Sequence, residues 1–65
     1  MVTDENALSY LHKKIRGMMN DLADHVAGGG VEDWAEYKKT TGIIEGLARA
    51  ERELLDLIEK LTEHD

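Results

Sequence analysis

Cysteine, proline and phenylalanine are all missing from this 65-residue chain. Without cysteine no disulfide can staple the fold and no thiolate metal site can form. Its absence also leaves the redox compartment unread. Basic residues are scarce as well: 8 Lys and Arg stand against 14 Asp and Glu, for a formal net charge of −6. That balance opposes phosphate binding, because affinity for nucleic acid comes largely from Lys and Arg neutralising phosphates. No apolar run approaches the roughly 20 residues needed to span a bilayer. The opening residues, Met1-Val2-Thr3-Asp4-Glu5-Asn6, are acidic and lack the charged-then-apolar layout of a signal peptide. These absences lead us to expect a soluble, cytoplasmic protein with neither membrane nor nucleic acid as its partner.

What is present is helix-forming: Ala, Leu, Glu, Lys and Arg dominate. Thr3 or Asp4 can cap a first helix. Leu8, Leu11, Ile15, Met18, Met19, Leu22 and Val26 then recur at steps of three and four, one face of a helix over about 4–27. His12, Lys13, Lys14, Arg16 and Asn20 fall mostly off that stripe. Gly28-Gly29-Gly30 ends it, since three glycines make continued helix costly. A second helix is expected over about 31–63, with Glu32 and Asp33 in its first turn. Trp34, Tyr37, Thr41, Ile44 and Ala48 form one stripe on it. Ile43, Leu47, Ala50, Leu54, Leu57 and Leu61 form another, with Leu55 and Ile58 filling in. Glu45 with Arg49 and Asp56 with Lys60 add acid-before-base pairs four apart.

The fold class is therefore all-α: one domain, an antiparallel helical hairpin whose second helix is the longer. Thr40-Thr41-Gly42 is its weak point, because two β-branched residues before a glycine invite a kink. A break near Gly42 would give three helices instead.

A three-residue connection would bring Leu22 near Tyr37, Ile15 near Ile44 and Leu8 near Glu51. The first helix would then run out near residues 51–55. Leu54, Leu55, Leu57, Ile58 and Leu61 would overhang as an apolar patch that soluble monomers rarely leave in water. A chain this short is also marginal on its own. We therefore expect residues 54–61 to be covered by another chain, most simply in a homodimeric four-helix bundle. Gly42, Gly46 and Ala50, spaced by four, form a strip of small residues suited to close helix packing. That packing could be against the first helix, a partner helix, or a ring such as Trp34 or Tyr10. Gly46→Leu is expected to disrupt such packing.

Candidates for chemistry are few. No two of His12, His25 and His64 are four apart, and nothing resembles H-E-x-x-H, so no metal and no cofactor are expected. His25 suits the end of the first helix, where a cation complements the dipole. Ser9 is the only serine, and the glycines follow a helix rather than a strand, which excludes a phosphate loop. Catalysis is not expected. Asp21, Asp24, Glu32, Asp33 and Glu36 gather around the hairpin tip. They read as a solvated end or as an acidic docking surface for a basic protein. Lys13, Lys14 and Arg16 in the first helix, with Lys38 and Lys39 in the second, suggest a basic band, too small for nucleic acid.

The stretch Tyr37-Lys38-Lys39-Thr40-Thr41-Gly42-Ile43-Ile44-Glu45-Gly46-Leu47-Ala48-Arg49-Ala50-Glu51-Arg52-Glu53-Leu54-Leu55-Asp56-Leu57 resembles a pattern in small helical proteins of tailed bacteriophages. It covers about the last half of the chain. The resemblance implies an accessory protein bound to the virion or acting on a host factor, with no catalytic residues to carry over. Two functional expectations follow. The first is a non-enzymatic interaction module, a virion or assembly accessory acting through the apolar face of the second helix. The second is a small acidic inhibitor or regulator that docks on a basic host protein. Its place would be the host cytoplasm or the virion.

Overall fold

A computed structural model describes residues 4–63 of the chain. Two helices, α1 (Asp4–Ala27) and α2 (Trp34–Glu63), pack against each other, and no strand occurs among the described residues. The second helix is the longer, with 30 residues against 24. The expected cap at Thr3 and the residue His64 lie outside the described residues.

The connection is longer than the glycines alone suggest, because α2 starts at Trp34 rather than near residue 31. Gly29 takes the left-handed conformation, with φ of 80°. This lets the Gly30 amide donate to the His25 carbonyl at 2.9 Å and the Gly29 amide to the Val26 carbonyl at 3.2 Å. That pair of bonds is a Schellman close, which satisfies carbonyls a helix end would otherwise leave bare. Residues 30–33 then run outside regular structure until Asp33 starts α2. Its Oδ1 accepts from the Glu36 amide at 2.8 Å, and its own carbonyl accepts from the Tyr37 amide at 3.0 Å. Asp33 is thus the N-cap of α2 rather than a residue of its first turn.

α2 runs unbroken through Thr40, Thr41 and Gly42, so the three-helix arrangement does not occur. Two local features account for this. The Thr41 hydroxyl donates to the Lys38 carbonyl at 3.1 Å, which satisfies it inside the helix. Thr40 is buried at 6% exposure, so packing outweighs the few tenths of a kcal/mol that a β-branched residue costs a helix.

The register differs from the one a tight turn would impose. Glu51 meets both His12 and Arg16, so it stands level with the turn between them rather than with Leu8. At equal rise per residue, Asp4 then lies near the level of Leu61. α1 therefore runs alongside nearly all of residues 54–61, and the expected C-terminal overhang is absent. The surplus of α2 lies at the other end, where its first turn, with Trp34 and Tyr37, extends past Ala27. The six-residue connection, 28–33, supplies the chain needed to reach it. The same shift separates Lys38 and Lys39, now beside the end of α1, from Lys13 and Lys14, so the basic band does not assemble.

Both closures of the connection are testable by urea unfolding followed by helical circular dichroism. Gly29→Ala should lower stability by about 1–2 kcal/mol, since a Cβ is strained at that φ. Asp33→Ala should cost about 1 kcal/mol, whereas Asp33→Asn should be close to neutral.

Candidate functional site

The helices meet along one seam. The less exposed positions of α1 are Leu8, His12, Ile15, Met19, Leu22 and Val26, and those of α2 include Thr40, Ile44, Leu47, Glu51, Leu54 and Ile58. Both rows alternate steps of four and three, the spacing of coiled-coil-like packing. The Glu51 contacts bring them into matched levels, from Leu8 with Ile58 at the open end to Val26 with Thr40 near the tip.

Among the described residues, the buried apolar side chains are Ile15 and Leu54, each 8% exposed. His12 and Glu51 share the middle of the seam with them, beside half-buried Met19 and Leu47. With its proton on Nε2, His12 donates to Glu51 Oε2 at 2.9 Å, and Arg16 Nη1 donates to Oε1 and Oε2 at 3.2 and 3.1 Å. The His12 hydrogen bond, joined by the charge and hydrogen bonds of Arg16, holds the Glu51 carboxyl below the ordinary glutamate range, against an opposing push from desolvation. Periodicity places His12 at the edge of the apolar stripe and Glu51 among surface charges. What could have marked them is the strict four-three row, which includes both positions.

A second apolar row lies beside the seam. Leu11 and Met18 each stand one residue before a seam position of α1, as do Ile43, Ala50 and Leu57 on α2. Two antiparallel helices are related by a dyad perpendicular to their common plane, so equal offsets from the seam fall on one face of the pair. All five therefore share a face. Leu11, Met18, Ile43, Leu57 and Leu61 are 43–46% exposed. The opposite face carries Ser9, Arg16 and Ala23 on α1, and Thr41, Ala48 and Leu55 on α2, a more polar set. The residues expected at an interface are thus dispersed: Leu54 is buried in the hairpin, Ile58 is half-buried in the seam, Leu61 continues the seam row at its exposed end, Leu55 faces the polar side, and Leu57 remains on the free apolar face.

The glycine strip faces open space within the chain. A Cβ at Gly42 or Gly46 would meet nothing within 4 Å, so neither α1 nor the rings of Trp34 and Tyr10 pack there. Ala50, one turn beyond Gly46 on the same strip, is also exposed and borders the free apolar face.

At the tip, a shallow, open cleft of about 570 Å³ is lined by Val26, Val31, Glu32, Asp33, Trp34 and Tyr37. The Trp34 and Tyr37 rings stack with centroids 5.4 Å apart, and Lys38 Nζ lies 5.7 Å from the Trp34 centroid. Of the expected acidic surface, the structure brings Glu32 and Asp33 to this cleft. Asp21, Asp24 and Glu36 are exposed and do not line it. Helical spacing alone puts Trp34 and Tyr37 on a packing stripe; their position beyond the end of α1 makes them cleft walls instead. The ring of His25 lies over Gly30, where an added Cβ would collide with it.

Among the described residues, no three His, Cys, Asp or Glu side chains converge as a metal site would require, and no helix is long and apolar enough to cross a membrane. The fold defines the class as a two-helix antiparallel hairpin. No protein-family model, curated protein or solved structure matches the chain.

Two substitutions probe this geometry. Replacing Glu51 with Gln should lower the melting temperature. The lowered carboxyl pKa means that the charged clamp contributes above the ordinary glutamate value of about 4.3 and is lost as pH falls through the depressed one. The gap between parent and variant should therefore narrow in acid, and a constant gap down to pH ~3 would contradict the assignment. Gly46→Ala should raise stability by up to about 1 kcal/mol through helix propensity. A lower melting temperature would mean that another backbone lies against that strip.

Proposed function

We propose that this protein is a non-enzymatic interaction module whose free apolar face joins a second copy of itself in a four-helix bundle. The observation that carries the reading is the thinness of the hairpin. Its Cα trace spans 50 × 20 × 12 Å, with a radius of gyration of 15.0 Å. A compact chain of this length would have a radius near 11 Å. Stable domains bury an apolar face between two layers, and this hairpin is a single layer.

Surface area supports the same reading. The chain exposes 5259 Å². A compact monomer of its 7.3 kDa mass would expose roughly 4,200 Å². The excess, about 1,100 Å², exceeds the ~800 Å² per partner typical of a stable interface. A face with apolar rows on both helices suits a self-complementary contact about a two-fold axis. The likeness of residues 37–57 to small tailed-phage proteins supports, within this proposal, a role as a virion or assembly accessory.

Sedimentation at micromolar concentration should give twice the chain mass, with little dependence on ionic strength, because the contact is apolar. Leu57→Glu should dissociate the assembly, since each leucine contributes about 1.5–3 kcal/mol on burial and a symmetric dimer loses two. Leu55→Glu, on the opposite face, should leave the mass unchanged. A folded monomer across the concentration range would refute the proposal.

A further inference from the structure

We propose that the cleft at the hairpin tip is a docking site for an arginine side chain presented by a basic segment of another protein. This surface is separate from the apolar face and does not depend on self-association. Trp34 is 70% exposed, an unusual position for the chain's single tryptophan. Exposed Trp and Tyr side chains are the groups most enriched among residues that dominate protein contacts. Here they form a stacked pair, which limits the conformational freedom that binding would have to remove.

The chemistry of the walls selects the occupant. Val26 and Val31 offer apolar contact to a methylene stem. The Trp34 ring offers a face that attracts cations, and Lys38 Nζ already lies 5.7 Å from its centroid. Glu32 and Asp33 supply carboxylates at the rim, and Glu36 lies one turn further along α2. Their charge exceeds the roughly half positive charge at the start of α2, so the tip favours a cation despite the helix dipole. A guanidinium fits this set better than an ammonium. It is planar, stacks on aromatic faces and can pair with a carboxylate through two donors at once. An incoming arginine must compete with Lys38, which the same ring holds only through a weak, exposed contact.

The single tryptophan provides the readout. The full-length chain is titrated with a blocked peptide of alternating glycine and arginine, and Trp34 fluorescence is followed. Equal-length glycine-lysine and glycine-glutamate peptides serve as comparators. The expected result is a saturable change with the arginine peptide, weaker binding of the lysine peptide and none of the glutamate peptide. By calorimetry, Trp34→Leu should weaken arginine-peptide binding roughly tenfold, the scale of one good contact. Paired Glu32→Gln and Asp33→Asn changes should weaken it comparably, with the asparagine still capping α2. None of these changes should alter the sedimentation mass, so failure here and failure of the self-association reading are distinguishable. No saturable change with the arginine peptide would overturn the proposal. Trp34→Leu binding as tightly as the parent would also overturn it, by showing that acidic charge alone attracts the peptide.

Discussion

Glu51 is held by His12 at 2.9 Å and by Arg16 at 3.1 and 3.2 Å, and these contacts set the register in which the two helices lie together. Along an antiparallel seam of leucines, isoleucines and methionine, neighbouring registers would bury similar apolar areas and differ little in energy. A carboxylate that takes two particular donors does discriminate, because a slip of one turn in either direction keeps one of them, His12 or Arg16, and loses the other. The consequences extend along the whole hairpin. The open end of α2 gains a partner in α1, and the first turn of α2 is left extending beyond the tip.

The seam by itself is a modest core. Ile15 and Leu54 are the apolar residues it buries, and the pair of helices stays one layer thick. The chain nonetheless devotes Leu11, Met18, Ile43, Ala50 and Leu57 to a second row beside the seam. In a lone hairpin that row is exposed apolar surface. In a bundle it becomes the other half of a core. The self-association proposed above would give that row a second layer to pack against. The tip is built on a different principle, with aromatic walls and an acidic rim where the connection meets the start of α2.

Local structure was largely legible from residue order. The 3.6-residue period marks both helices, and the glycines mark the end of α1, because these signals act over a few residues and need no knowledge of the partner helix. Residue order alone places the start of α2 about three residues early, since Glu32 suits a first turn as well as Asp33 suits a cap. The weakness at residues 40–42 was real in propensity terms, but burial of Thr40 and the internal bond of Thr41 outweighed it. Trp34 and Tyr37 could not be recognised as cleft walls, because helical spacing treats any aromatic on a stripe as packing.

The sequence by itself thus determined two amphipathic helices, their order, the glycine-rich end of α1 and an acidic, cysteine-free surface. Each of these follows from local propensity, spacing or composition. Only the tertiary structure decided the register, the inclusion of His12 and Glu51 in the seam, the joining of apolar rows on one face, and the cleft at the tip. Those features depend on how far one helix slides past the other. Apolar periodicity is nearly indifferent to that displacement, and it was resolved here by a charged group that must find its donors across the seam.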